Sequence, residues 1–273
     1  MRLDDIDLKS LVTDVCDLAV VAGDAILDIY SQEFSVTHKS DLSPLTEADM
    51  ASHYVLLKGL SRLTPTVPIL SEEGDSVSLK ERGEWPLLWL IDPLDGTREF
   101  VKRNGEFSVN ISLVYGAESI LGVVYAPVTK LCYFAYLGGG AYKKYAGEGS
   151  QKIAARGWDG KHITIAGSRS KHTANFEKFL AGFSSYELIS LGSALKSCVV
   201  AEGDADIYAR FGPTSEWDTA AAQCIVEEAG GQMMALNGQP LLYNRKESLL
   251  NPSFLVVGDS THPWCDYLPD AVL

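Results

Sequence analysis

The sequence predicts an α/β chain of the α+β kind, built from layered sheets and helices. Three observations carry that expectation. Strand-like and helix-like segments alternate in both halves. An unbroken apolar run at residues 87–91 reads as a strand buried on both faces. The chain is 273 residues long and 46% hydrophobic, enough to build a large core without disulfide staples. Its length fits one large domain or two packed halves. Residues 1–150 and 151–273 are the expected halves, with the boundary in the polar, glycine-containing stretch 143–161.

Leu8, Leu11, Val12, Val15, Leu18, Ala19, Ala22, Ile26 and Ile29 recur at helical spacing and predict a long first helix ending near Tyr30. Its polar face carries Asp7, Asp14, Asp17 and Asp24, which suits core packing and disfavours anionic lipid. A polar loop is expected at 37–43. A second helix should start at Thr46 and run to about Arg62, with Val55, Leu56 and Leu60 inward, before Pro65 and Pro68. Strands follow at 67–71, 87–91, 107–115, 120–126 and 131–136, with turns at Gly116-Ala117 and Gly138-Gly139-Gly140. Beyond the boundary, strands are expected at 162–166, 186–191 and 205–209. Helices are expected at 174–183, 194–202 and 219–229, the last stopped by Gly230-Gly231.

Lys and Arg number 23 against 36 Asp and Glu, a formal net charge of −13. Such a surface repels phosphate backbones, which argues against a general nucleic-acid binder. A small anionic substrate would need local cations, and a bound metal can supply them. Cys16, Cys132, Cys198, Cys224 and Cys265 form an odd, widely spaced set with no C-x-x-C, read as free thiols in a reducing compartment. The acidic first residues do not resemble a signal peptide, and no apolar stretch approaches the roughly 20 residues of a membrane span. The expectation is a soluble, cytoplasmic chain.

The chemistry concentrates in Trp89-Leu90-Ile91-Asp92-Pro93-Leu94-Asp95-Gly96-Thr97-Arg98-Glu99-Phe100, where an apolar strand runs into a polar turn. Pro93 fixes one backbone angle between Asp92 and Asp95. Gly96 permits a close backbone approach, and Thr97 can open a helix. Such a turn can aim two carboxylates and the Leu94 carbonyl at one spot, and leave the Gly96 and Thr97 amides to hold a phosphate. Glu72-Glu73 ends another strand, Asp218 opens the helix at 219–229, and Asp49 lies in Thr46-Glu47-Ala48-Asp49. Singly, Asp49 and Asp218 fit plain helix capping. If the acids converge, several like charges need a cation, and hard oxygen donors without His or Cys favour Mg²⁺ over Zn²⁺. Two such ions suit in-line hydrolysis of a phosphate ester.

Asp92-Pro93-Leu94-Asp95-Gly96-Thr97 together with Trp217-Asp218-Thr219-Ala220-Ala221 resembles the inositol monophosphatase superfamily of Mg²⁺-dependent, lithium-sensitive phosphatases. The run Arg98-Glu99-Phe100, then Arg103-Asn104-Gly105-Glu106-Phe107, Phe211-Gly212-Pro213-Thr214 and Glu247-Ser248-Leu249-Leu250-Asn251-Pro252 are similar to its bisphosphate-nucleotidase branch. The resemblance spans about residues 11–257 and implies a layered α-β-α-β-α sandwich. It implies that Glu72, Asp92, Asp95 and the Leu94 carbonyl hold one Mg²⁺, with Glu72 chosen over Glu73 as the first acid of the pair. Asp92, Asp95 and Asp218 would hold a second. On this resemblance the first half carries most metal ligands, and the second carries the nucleotide contacts and the last ligand. Thr97 and Asp49 would orient and activate water, with a third, weaker metal, and the Gly96 and Thr97 amides would grip the phosphate.

At the substrate end the same resemblance implies nucleotide contacts from Ser193 and Lys196 of Ser193-Ala194-Leu195-Lys196, and places Asp218 near the sugar. Arg210 suits a second phosphate, since a guanidinium matches that geometry. His172 is a candidate for the base, although Lys171 shifts it from the branch's R-S-H pattern. The implied reaction removes the 3′-phosphate of adenosine 3′,5′-bisphosphate, giving AMP and phosphate and clearing a by-product of sulfate activation and transfer. The implied partner is a small nucleotide bisphosphate, with no nucleic acid and no integral membrane segment. A monomer and a homodimer both fit, and peripheral association with the inner membrane stays open. Alternatives are an inositol phosphate or sugar bisphosphate as substrate, or a non-catalytic metal or nucleotide sensor. A serine hydrolase reading of S-x-x-K lacks its S-D-N and K-T-G partners.

Overall fold

The computed structural model describes residues 6–38, 44–169 and 173–269. The expected loop at 37–43 lies partly outside them, and its described flanks are paired strands. In chain order the elements begin with α1 (Leu8–Tyr30), β1 (Val36–His38), β2 (Pro44–Thr46) and α2 (Glu47–Leu63). They continue with β3 (Ile69–Ser71), α3 (Leu79–Arg82), β4 (Leu87–Asp95) and α4 (Thr97–Val101). A meander follows: β5 (Ser108–Tyr115), β6 (Glu118–Ala126), β7 (Leu131–Tyr136), β8 (Gly140–Tyr145) and β9 (Gln151–Ile153). Then come β10 (Ile163–Ser168), α5 (Ala174–Leu180), β11 (Tyr186–Leu191), α6 (Leu195–Ala201), β12 (Ile207–Arg210) and α7 (Glu216–Glu228). The last elements are β13 (Gln232–Ala235), β14 (Phe254–Val257) and a 3₁₀ turn (Trp264–Tyr267).

One sheet has seven strands in the order β3-β4-β5-β6-β7-β8-β9, all antiparallel except the β3–β4 pair. The other has five in the order β11-β10-β12-β14-β13, parallel across β11, β10 and β12. The period-2 alternation of β4 divides two cores. Leu87, Trp89 and Ile91 face the apolar stripes of α1 and α2 (Val15, Ala19, Ile26, Leu56, Leu60). Leu88 and Leu90 face α6 and α7 (Val200, Ala220, Ile225) and the inner face of the second sheet (Tyr208, Val256). The outer face of that sheet, with Ile165 and Leu255, packs on Phe176 and Phe179 of α5 and on Trp264. The layers are therefore helix, sheet, helix, sheet, helix, as the resemblance implied.

Helix α7 lies deep between the sheets because its contact residues are small. A Cβ at Gly122 of β6 would sit 2.1 Å from the Ala221 carbonyl oxygen, so only glycine permits this approach. That depth brings the start of α7 to the end of β4.

The stretch 143–161, expected to be a polar boundary, contains the end of β8 and all of β9. Lys152 stands on the edge strand β9, where charge blocks further pairing, and Lys143 on β8 pairs with Glu202. β13, β14 and α3 were also not expected. α7 starts at Glu216, not at residue 219, so Asp218 stands inside its first turn rather than opening it. The triple glycine is the expected turn, and the Glu228 carboxylate accepts from the Gly138 and Gly140 amides at 2.8 and 2.7 Å. All five cysteines are free thiols. No helix among the described residues is long and apolar enough to cross a membrane.

Candidate active site

The site forms where β3, β4 and α7 end or begin together. β4 pairs with β5 up to Asp92, then shifts register before Asp95. Such a bulge re-aims side chains at a strand end. Asp92 turns back to accept from the Leu94 amide at 3.0 Å, and the Ser52 hydroxyl holds the Pro93 carbonyl at 2.7 Å. Gly96 follows with φ of +93°, a left-handed conformation that favours glycine, and starts α4. β3 delivers Glu72, whose amide bonds the Ile91 carbonyl at 3.2 Å. α7 delivers Asp218, whose carboxylate accepts from the Ser215 amide at 2.9 Å in a capping box. Asp218 is thus both a cap and a cavity group.

One oxygen each from Glu72, Asp92 and Asp218 lies within 4.8 Å of the others. Asp95 lines the same cavity and is braced by the Asn110 amide at 3.2 Å. Glu73 is not part of that trio, and its amide bonds the Ser71 hydroxyl at 3.3 Å. The crowding is visible in the acidities. Burial, then Glu72 and Asp95, push Asp92 well above the ordinary carboxylate value. Burial raises Asp95 too, against the opposing pull of Lys196. Asp218, half-buried, is pushed up to about 8 by desolvation first and by Asp95 next.

This has a measurable consequence in metal-free protein. Between the ordinary value of 3.8 and about 8, folded Asp218 holds a proton that the unfolded chain has released. Stability is therefore full below about pH 4 and is lost as pH rises towards 8, and the Asp92 shift acts in the same direction. Thermal melts in EDTA should show the midpoint falling across that window, and excess Mg²⁺ should flatten the curve. A midpoint that rises with pH in EDTA would contradict the crowding.

Asp49 and Thr97 stand beside the carboxylates. The Thr97 hydroxyl donates to Asp49 Oδ1 at 3.2 Å, and Asp49 Oδ2 accepts from the Thr46 amide and hydroxyl at 2.8 and 2.6 Å. Asp49 is buried, so its capping role and its contact with Thr97 coexist in one side chain.

The cavity holds about 270 Å³ and is lined by Glu72, Asp92, Leu94, Asp95, Gly96 and Thr97 on its acidic wall. Ser193, Lys196 and Arg210 line it as well. Lys196 Nζ donates to the Ser193 carbonyl at 2.5 Å, and burial pulls its ammonium down to about 8. Arg210 donates to the Gly212 and Pro213 carbonyls at 3.2 and 2.9 Å. Ser193 adopts φ of +49°, uncommon for a residue with a side chain, and its buried hydroxyl has no partner among the described residues. His172 lies outside the described residues. Sequence reasoning missed Ser168, Ser197, Tyr208, Thr214 and Phe254 on the cavity wall, and Asn110 behind Asp95. Asn110 left one signal, a lone amide in an apolar strand.

Residues 7–262 match the family model described as the inositol monophosphatase family. The chain belongs to the inositol monophosphatase family. It is 46% identical over 248 residues to the 3′(2′),5′-bisphosphate nucleotidase CysQ of Escherichia coli strain K12, covering 90% of this chain and 99% of that one. To the CysQ of Aggregatibacter actinomycetemcomitans it is 41% identical, covering 93% and 95%. The crystal structure of CysQ from Bacteroides thetaiotaomicron, a bacterial member of the family, superposes with a TM-score of 0.81 at 42% identity, covering 91% of this chain and 97% of that one. The acidic trio and the layered fold of this family member thus come with close relatives along nearly the whole chain.

Proposed function

We propose that this protein is a Mg²⁺-dependent phosphatase that removes the 3′-phosphate of adenosine 3′,5′-bisphosphate, giving AMP and phosphate, in the clearance of a by-product of sulfate activation. The observation that carries this reading is one cavity lined both by carboxylates and by the cations Lys196 and Arg210. The first set suits a cation at the phosphate to be cleaved. The second suits an anionic group elsewhere on the same substrate. The CysQ relatives support the same substrate class.

The residues fit Mg²⁺. The donors are all oxygen, three of them within 4.8 Å, and their mutual repulsion is what a divalent cation relieves. Glu72, Asp92, Asp95, the Leu94 carbonyl and Asp218 would hold it. When bound, the ion supplies positive charge to the carboxylates and to the phosphate oxygens and makes the attacking water more acidic. The chain's own groups then have defined tasks. Thr97, whose hydroxyl has Asp49 Oδ1 at 3.2 Å and the Leu94 carbonyl at 3.3 Å as acceptors, can accept a hydrogen bond from water through its oxygen lone pairs. Asp49, fixed by Thr46, is the group that takes up the proton. The water oxygen bonds phosphorus as the ester P–O bond breaks, and the released 3′ oxygen recovers a proton from solvent. Gly96 and Thr97, at the start of α4, would hold phosphate oxygens through their amides, while Ser193, Lys196 and Arg210 would hold the nucleotide.

The test is phosphate release from adenosine 3′,5′-bisphosphate, inositol 1-phosphate and fructose 1,6-bisphosphate, with Mg²⁺ and with EDTA. The nucleotide should be preferred by at least about tenfold in kcat/KM, a difference of roughly 1.4 kcal/mol in transition-state binding. EDTA should abolish the reaction. Preference for either other substrate, or hydrolysis indifferent to EDTA, overturns this reading.

A further inference from the structure

The tasks above leave one motif without a role, the stretch through Glu247-Ser248-Leu249-Leu250-Asn251-Pro252. We infer that residues 244–251 form a strap that positions the Asp218 turn, with Asn251 and Arg82 as its two fasteners. This rests on the reading of Glu72, Asp92 and Asp218 as metal ligands.

The strap runs across the first turn of α7. The Leu249 carbonyl accepts from the Glu216 amide at 2.8 Å, and Leu250 bridges Ser215. The Asn251 amide donates to the Thr214 carbonyl at 2.8 Å. Its side-chain amide donates to the Ser215 carbonyl at 2.8 Å and to the Thr219 hydroxyl at 2.9 Å, with Thr214 Oγ1 at 3.3 Å. One side chain therefore grips the residues on both sides of Asp218. Thr214 and Thr219, two of its partners, line the cavity themselves.

The other end of the strap is tied to the β3–β4 connection. Asn244 has φ of +56°, a conformation asparagine tolerates better than most residues. That turn sends its amide to the buried Glu216 carboxylate at 2.6 Å, where Lys246 also donates at 2.6 Å. Its side chain pairs with Arg82 twice, accepting from Nη1 at 2.6 Å and donating to the Arg82 carbonyl at 2.7 Å. Arg82 is fully buried and also donates to the Lys246 and Glu247 carbonyls at 2.6 and 2.8 Å. The Glu247 carboxylate accepts from the Leu79 amide at 3.3 Å.

The topology gives these bonds their meaning. Glu72 and Asp92 sit at the ends of β3 and β4, and Arg82 lies in the segment that joins those strands. Asp218 sits on α7, in another layer. The strap is a hydrogen-bonded link between the two parts of the chain that supply the trio. Crowded carboxylates do not hold their own spacing, so partners outside the trio must do it. Groups that orient metal ligands from behind typically change affinity by about 10–100-fold when removed.

The experiment measures Mg²⁺ binding to the full metal-free chain by calorimetry, with the circular dichroism spectrum and kcat and KM recorded alongside. Asn251→Ala should fold and bind Mg²⁺ about 10–100-fold more weakly. At saturating Mg²⁺ its KM should stay within about twofold while kcat falls, because Asn251 does not line the cavity. Lys246→Gln removes a part-exposed contact of the strap with Glu216, so it is readable if Asn251→Ala does not fold. It should weaken Mg²⁺ binding by about two- to fivefold, the worth of a partly exposed ion pair. Wild-type affinity in a folded Asn251→Ala chain, or in Lys246→Gln where the first does not fold, overturns the strap and leaves the metal reading standing. A wild-type chain that takes up no Mg²⁺ overturns both.

Discussion

Replacing Asp218 with asparagine is expected to remove turnover while leaving the metal-free fold as stable as before, or more so. The two halves of this result have one cause. Asn keeps the oxygen that accepts from the Ser215 amide, so the capping box of α7 survives. What disappears is a charge within 4.8 Å of the Glu72 and Asp92 oxygens. Two full charges at that separation repel by roughly 3 kcal/mol at an effective dielectric of 20, an upper figure because the raised acidities already leave part of the cluster protonated. Losing that repulsion should raise the metal-free melting midpoint by a few degrees, at roughly 2–4 °C per kcal/mol for a chain of this size.

With Mg²⁺ the outcome reverses. The wild type should gain stability from the ion as its concentration exceeds the dissociation constant, and the variant should gain much less. Phosphate release should fall by on the order of 10²–10³-fold or more, the loss seen when one group stabilising transition-state charge is removed. Melting scans with EDTA and with Mg²⁺, beside initial rates, check both halves. A variant that melts well below wild type in EDTA would make Asp218 a structural cap. A variant that turns over at the wild-type rate would remove it from the site.

How much of this could be read in advance depended on where the controlling contacts lie. Local signals sufficed for α1 and α2, whose apolar spacing is regular, and for β4, whose apolar run ends in Asp92. They failed for β8 and β9, because Lys143, Lys144 and Lys152 look like loop residues, while Lys143 in fact reaches the Glu202 carboxylate at 2.6 Å and Lys152 lies on the edge strand. They also failed for β13 and β14, which are four residues each and gain their identity from pairing, β14 with β12 and β13 with β14. In the site, Asp92 and Asp95 declared themselves through the turn that joins them. Glu72 and Asp218 could be nominated, but their meeting depends on Gly122 letting α7 sink onto β6, a contact between residues about a hundred apart. Asp49 and Asp218 looked ambiguous because capping and cavity duties use the same atoms. The left-handed backbone of Ser193, φ of +49°, is not announced by anything in Ser193-Ala194-Leu195-Lys196.

Arg210→Gln is expected to separate the two phosphates of the proposed substrate. Arg210 and Lys196 both line the cavity, but they are not equivalent probes. Lys196 opposes the upward shift of Asp95, so its loss would disturb the carboxylate wall and slow every substrate. Arg210 is held by main-chain carbonyls of Gly212 and Pro213, and glutamine can keep one of those bonds while losing the charge. A charge-assisted bond to a phosphate is worth about 1.5–3 kcal/mol, which is roughly 10–150-fold in affinity. KM for adenosine 3′,5′-bisphosphate should therefore rise by about that factor, with kcat changed little. For adenosine 3′-monophosphate, which has the cleaved phosphate and lacks the other, kcat/KM should change by less than about threefold, because the phosphate that Arg210 would meet is missing and the pull of Arg210 on Asp218 is the last in order of the influences on that carboxyl. Steady-state kinetics on the two nucleotides, run in parallel at saturating Mg²⁺, give the ratio directly. Equal losses on both would place Arg210 in support of the Asp218 turn through Gly212 and Pro213. An unchanged ratio with unchanged rates would mean that the second phosphate lies elsewhere along the wall formed by Ser193 and Lys196.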